Sequence, residues 1–369
     1  MLVSKDQEQM NNLEIKTYSS LRDLESFKSN WNELVSQNDT NEIFLTYEWF
    51  QSWCAASDEK ETPLILTMSD MGSLVGIAPL AIKELRKKRV KYRSLRFMSP
   101  GDYADFIVLK DYRNIFLERI FDYLLREKNG WDSIELLNIP EYSRTVKIMT
   151  EVCKDMRKKF EISRDMVCPS LRINGDLEFA ESCLKKKSIV RHYNYFKRNG
   201  ELIYTRLSTG GEIESHLEPF FEQHIKRREL AEETSLFLIP NRKAFYRYLV
   251  KFMPRDWIHF TALTFKGIPI AYHFGFSYGN KLTWYKPSFD VSYATHSPGE
   301  TLLFFLIKES IENGARELDF TIGDEAFKRR FSNLIRYNYR IEYVRNRKLD
   351  FYWRSISNLK KIRNLIKNI

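Results

Sequence analysis

The segment from Leu282 to Lys328, LTWYKPSFDVSYATHSPGETLLFFLIKESIENGARELDFTIGDEAFK, constrains the fold more than any other stretch of the chain. Trp284 and Tyr285 lie in a run rich in β-forming residues. Ser297-Pro298-Gly299 halts the chain just before an apolar helix, read as Thr301–Asn313, which Gly314 ends. Glu317-Leu318-Asp319-Phe320-Thr321 follows as a short strand whose carboxylate is expected to face away from its apolar neighbours. Gly323-Asp324-Glu325 comes at that strand's C-terminal end, where open α/β sheets usually bind their ligands.

The same order of elements is legible twice. In the first half, strands Leu64–Thr67 and Leu74–Ile82 turn at Asp70-Met71-Gly72, and strands near Tyr92–Met98 and Asp105–Leu109 follow. A helix Tyr112–Glu127, with Ile115, Phe116, Ile120, Tyr123 and Leu124 at helical spacing, leads to strand Ser133–Ile139. In the second half, Ile258–Phe265, Pro269–Ser277 and Lys281–Lys286 form a meander, then the Thr301–Asn313 helix and a strand Arg316–Thr321. Between the halves the spacing predicts helices Asp176–Arg198, Glu212–Leu230 and Asn241–Phe252. One domain boundary is expected near Pro169, giving domains 1–169 and 170–344. Residues 345–369 form a basic amphipathic tail, with Leu349, Tyr352, Ile356, Leu359 and Ile366 at heptad-like spacing.

From Lys185 to Phe331, and more loosely in its first half, the chain resembles GNAT-type acyltransferases of the CelD-like kind, related to the FemABX transferases. The resemblance rests on several features in order. They are the helix bearing Lys186, Arg191 and Arg198, the Ile270-Ala271 strand, the Tyr285 strand, Ser297-Pro298-Gly299, and Asp319-Phe320 with Gly323, Glu325 and Lys328. It implies an α/β (α+β) fold of tandem GNAT-like domains, each a mixed, mostly antiparallel sheet flanked by helices. It also implies acyl transfer, usually from a coenzyme A thioester, with FemABX relatives using aminoacyl-tRNA instead. Many relatives carry tyrosine where this chain has Phe327, so a hydroxyl acid is missing there.

A helix start offers unpaired N–H groups and a positive dipole end, suited to a pyrophosphate. Gly299 would let the backbone approach it, Ser297 or Thr301 would cap the helix or donate to phosphate, and Glu300 is expected to face solvent. The alternative is an ordinary helix start. Transfer to an amine needs a base, a held oxyanion and a departing thiolate. Asp319 and Glu325 are the base candidates, directly or through water, and His273 in AYHFGF is the other; a core histidine is its competing role. Tyr285 either donates to the leaving sulfur or packs, and Lys328 either contacts phosphate or forms a salt bridge. Ser99–Asp105 resembles a loop near the acceptor site in CelD-like proteins. Tyr103 and Asp105 there would bind sugar hydroxyls or an amine, or simply make a strand-entry turn. Trp49 would stack on a sugar or pack a helix on the core.

Composition excludes other classes. The chain has no GxSxG, HExxH, P-loop or GxGxxG-helix pattern, and its six histidines lack metal spacing, so no metal is expected. Four scattered cysteines point to a reducing compartment, and neither a signal peptide nor a membrane span is expected, hence a cytoplasmic protein. Of the net charge of +10, Lys83–Arg96 and Arg345–Ile369 each hold +7, leaving −4 elsewhere. Two separate basic clusters fit solvated surfaces, anionic ligands or contact with the inner face of an anionic membrane. The expected activity is direct transfer from acyl-CoA, acetyl-CoA foremost, to a small-molecule or lipid-linked amino sugar or related cell-envelope precursor. The alternatives are a tRNA-dependent aminoacyl transferase and a non-catalytic scaffold that binds membrane or a partner.

Overall fold

The computed structural model describes residues 12–57, 61–87, 90–126, 130–155, 160–346, 348–350 and 353. Contacts divide the chain into two compact units, one of residues 1–41, 59–165 and 338–369, the other of residues 42–58 and 166–337. Both are discontinuous in sequence, whereas a single boundary near Pro169 describes two uninterrupted domains.

In the first unit, Glu61–Asp70, Ser73–Lys87 and Val90–Phe97 form an antiparallel meander. Leu13–Tyr18 pairs with its outer strand. The helix Arg113–Arg126 then carries the chain to Ser133–Pro140, which lies parallel to Val90–Phe97. The Asn338–Val344 end of the last strand closes that edge in antiparallel fashion. The second unit repeats this order. Ile258–Phe265, Ile268–Tyr278 and Lys281–Phe289 make the meander, and Leu202–Leu207 pairs outside it. The helix Pro298–Glu312 leads to Glu317–Asp319, parallel to Lys281–Phe289 and flanked by the end of the Glu161–Arg172 strand. Each unit is thus a mixed, mostly antiparallel sheet with helices packed on it, as the period-two and helical patterns require.

Several expectations shift. The single helix Asp176–Arg198 is two, Leu177–Leu184 and Lys187–Asn199, parted at Lys186, whose ψ of 130° is extended. The break lets Ala180 and Cys183 on one piece, and Ile189 and Phe196 on the other, bury separately in the same core. Asp105–Leu109 shrinks to a strand at Ile107–Val108. The strands at Leu13, Glu161, Leu202 and Leu334 escaped the sequence reading. Most of the tail, including Tyr352, Ile356, Leu359 and Ile366, lies outside the described residues; Leu349 is buried. In the basic stretch Lys83–Arg96, Lys83 pairs with Glu61 and Arg96 with Glu135. Among the described residues no helix is long and apolar enough to cross a membrane.

The first unit's core centres on Phe106, Phe116, Phe121 and Ile134. Gly76 faces it, and any Cβ there would run into the Phe116 ring. Gly76→Ala is therefore expected to lower unfolding free energy by about 1–3 kcal/mol, measured in urea, through overpacking. A neutral result would mean the ring swings aside freely.

Candidate active site

In the second unit the parallel pairing of Lys281–Phe289 with Glu317–Asp319 lasts three residue pairs and stops at Thr283 opposite Asp319. The strands then part. Phe320 N–H donates to Pro169 O at 3.1 Å and Gly323 N–H to Val167 O at 2.8 Å, so the chain beyond Asp319 stays with the Met166–Arg172 side. Lys281–Phe289 instead remains with Ile268–Tyr278. A wedge opens between them at the carboxyl end of the Glu317–Asp319 strand, and main-chain groups along one edge of Trp284–Phe289 lose their ladder partner.

A β-bulge accompanies the parting. Phe274 pairs with Lys286 and Phe276 with Thr283, so Trp284 and Tyr285 together stand opposite Gly275. Such a bulge bends its strand and raises its twist. Gly275 is obligatory here, because a Cβ would collide with Thr283 O and the His273 ring.

The helix Pro298–Glu312 starts at the wedge's mouth. Ser297 precedes it in the left-handed region (φ 46°), and its side chain makes no capping bond; its carbonyl accepts from Glu300 N–H at 3.0 Å and Thr301 N–H at 3.2 Å. Gly299 has room: a Cβ built on it meets only Phe289 Cδ1, at 3.6 Å. Neither backbone strain nor crowding by the protein demands glycine there. Glu300, expected in solvent, is partly buried and paired with Arg330. His192 nearby is held below the usual histidine pKa by burial, with Glu300 opposing and Arg191, His296 and Arg330 adding to the effect. Arg330 is thus held at the first turn by Glu300, and Arg191 lies 3.4 Å from His192 Nε2.

Arg227, missed in the sequence, donates to Pro287 O and lies over the Phe289 ring at 5.5 Å. Burial pulls its guanidinium down to about 10, so it stays charged at neutral pH, and Glu325 favours that charge. Glu325 is exposed at the head of the short helix Ala326–Arg330, 3.0 Å from Lys328 Nζ. Lys328 is itself buried and donates to Ile322 O at 2.7 Å, so it closes the loop rather than reaching toward a phosphate. Gly323 (φ 131°) is needed beneath this pair, since a Cβ would strike both Glu325 and Lys328.

The remaining candidates of the second unit are buried. Asp319, expected to face away from its apolar neighbours, is fully buried, 3.1 Å from Lys281 Nζ and accepting from Thr321 N–H at 2.7 Å. Burial raises its pKa, but Lys281, Arg336 and the main-chain bond overcome that and hold it below the usual carboxylate range. His273 is fully buried, and burial keeps it neutral, its pKa well below normal. Thr301 is fully buried too, its hydroxyl 3.5 Å from Ser297 O, which corrects its reading as a phosphate donor. Trp49 is packed edge-on against Phe44, Phe245 and Phe276, so packing accounts for it. Tyr285 joins that aromatic cluster, with Lys286 Nζ 3.7 Å above its ring.

Tyr103 and Asp105 belong to the first unit. Tyr103 is buried beside Tyr142. Asp105 is fully buried and accepts from Thr40, Ser143, Thr145 and Phe106 N–H, while Arg113 lies 3.2 Å away. With those bonds made it anchors the unit's core and has little left for a ligand, a correction to its reading as a substrate contact. Among the described residues no group of three His, Cys, Asp or Glu side chains could hold a metal ion.

Residues 185–329, the stretch that builds the wedge, match the family model described as Acetyltransferase (GNAT) domain. No curated protein matches the chain in sequence. A crystal structure of FemX superposes with a TM-score of 0.60 at 11% identity, covering 87% of this chain and 97% of that one. The structure of L-PGS from Bacillus licheniformis superposes at 0.56 and 11% identity, covering 91% and 96%. A conserved protein of unknown function from Bacteroides thetaiotaomicron gives 0.53 at 13% identity, covering 89% and 100%. At such identities the superpositions speak for the fold. Residues 185–329 thus match a GNAT acetyltransferase domain, and the chain is an acyltransferase.

Proposed function

We propose that the wedge beyond Thr283 and Asp319 receives an acyl-coenzyme A, acetyl-CoA foremost, and that the acyl group passes directly to an amine on an amino sugar or related cell-envelope precursor. The observation that carries this reading is the parting of two parallel strands with a helix N-terminus at the mouth. Beyond Thr283 the Trp284–Phe289 stretch no longer pairs with Glu317–Asp319, and its edge faces the space in which a carbonyl would gather negative charge during transfer, although Tyr285 N–H is engaged by His273 and Pro287 has no N–H. The start of the Pro298–Glu312 helix, with Arg330 paired to its first turn, suits a pyrophosphate, and Gly299 leaves space for it. Arg330 offsets Glu300, which would otherwise repel such a group. Glu325 is the base candidate that solvent reaches, and it takes the amine's proton directly or through water. The resemblance to CelD-like proteins supports the sugar acceptor. The fold likeness to FemX keeps a second reading alongside it, aminoacyl transfer from tRNA.

Thermal shift with acetyl-CoA, longer acyl-CoA species and tRNA tests the donor. A ligand at a hundred times its dissociation constant adds about 2.7 kcal/mol of stability. Acetyl-CoA is expected to raise the melting temperature of the native protein, and Gly299→Val to weaken its binding at least roughly tenfold, about 1.4 kcal/mol. Stabilisation by tRNA alone would replace the first reading with the second. A folded Gly299→Val variant with unchanged affinity would remove the helix start from the donor site.

A further inference from the structure

His273 stands directly beside the bulge from which the wedge opens, yet it cannot touch a ligand there: no part of it is exposed. Its Nε2 lies 3.2 Å from Tyr285 N and 3.2 Å from Thr283 O. Its ring stacks on Trp284, with centroids 5.1 Å apart and planes within 14°. All three neighbours belong to the bulged stretch, and Gly275 leaves the space the imidazole fills. A neutral imidazole nitrogen cannot both accept from Tyr285 N–H and donate to Thr283 O, so one contact is the hydrogen bond. In a bulge the extra residue has no ladder partner, and an orphaned buried N–H is a rarer defect than a carbonyl with one lone pair unused.

We propose that His273 is a positioning residue, whose unprotonated Nε2 accepts the Tyr285 N–H and thereby fixes the bulge that turns Trp284–Phe289 away from Glu317–Asp319. The side chain gives the bulged strand an acceptor from the neighbouring strand and so holds its bend. The proton then resides on Nδ1, which is buried with no protein partner among the described residues, and a buried water is expected beside it. Neutrality of the ring suits this role, because an imidazolium would present two donors and no acceptor. The role in transfer rests on the acyltransferase reading above; the hydrogen bond does not.

Three measurements on the full chain decide the matter. Nitrogen-15 NMR of labelled histidine reports the tautomer, and the expected result is a protonated Nδ1 with a lone pair on Nε2. A protonated Nε2 overturns the proposal. Amide exchange at Tyr285 supplies the second readout. His273→Leu removes the acceptor and is expected to speed that exchange about tenfold or more, with the neighbouring sheet amides unchanged. His273→Gln, whose amide oxygen can sit where Nε2 does, is expected to restore protection. Turnover with acetyl-CoA should follow the same order, falling roughly tenfold in the leucine variant at little-changed donor affinity and recovering in the glutamine variant. Equal Tyr285 exchange in all three forms overturns the proposal, as does equal turnover in an active protein. If the native chain transfers no acyl group, the proposed function fails while tautomer and exchange still judge His273. Should the leucine variant not fold, the tautomer of the native protein decides alone.

Discussion

Glu325→Gln is expected to lower turnover by roughly 10²–10⁴ and to leave donor affinity nearly unchanged. The carboxylate is exposed, stands at the carboxyl end of the Glu317–Asp319 strand and acts electrostatically on Arg227, whose other contacts are Pro287 and Phe289 on the opposite side of the wedge. The amide keeps its size and removes its basicity. Structural side effects should be small, because the Lys328 pair is exposed on the Glu325 side, and such pairs contribute about 0–1 kcal/mol. Lys328 also retains its bond to Ile322 O. Steady-state kinetics with acetyl-CoA and an amino-sugar acceptor, beside circular dichroism, make the comparison. Near-normal turnover in a folded variant would remove Glu325 as base and leave a substrate-assisted proton transfer.

Asp319 is expected to behave differently, although the sequence presents the two carboxylates as equals six residues apart. Local patterning showed a strand with an acid in it and a loop with another after it. It did not show which acid water reaches, because that depends on Lys281 and Glu42, and Glu42 lies 239 residues from Lys281. The same limit explains His273. Its alternating strand was legible, but a bulge is a relation between two strands and leaves only Gly275 as a trace in the sequence. Arg227 gave no local signal, being one of two arginines in the last turn of a long helix. The meanders, the helix behind Ser297-Pro298-Gly299 and the short parallel strand were readable because turn residues and periodicity are local. Thr301 and Trp49 show the opposite hazard: residue types suited to ligands were needed for packing.

The largest stability effect is expected from Lys281→Met. Lys281 Nζ lies 2.7 and 2.6 Å from the two oxygens of Glu42 and 3.1 Å from Asp319 Oδ2, and all three side chains are buried. Burial alone would lower the lysine's pKa; Glu42, Asp319 and Glu317 reverse that and raise it above the usual value. Methionine fills similar volume and leaves two carboxylates without their shared cation. Breaking a buried pair in this way costs about 3–5 kcal/mol, which urea unfolding followed by circular dichroism would read as a lower midpoint. The sign with pH follows from both partners. Asp319 has a depressed folded pKa, so its contribution is complete above the ordinary carboxylate range and fades as pH falls through the folded value. Lys281 has a raised one, so its contribution is complete below the ordinary lysine value and fades as pH rises through the folded value. Adding Glu42→Gln to Lys281→Met should recover part of the loss, because it removes one stranded charge. A loss below about 1 kcal/mol in the single variant would show that water reaches the site and screens it. The location gives the triad a consequence beyond stability. Lys281 and Asp319 stand at the two ends of the three-pair parallel contact between their strands, so loss of their pairing is also expected to loosen the contact that borders the wedge.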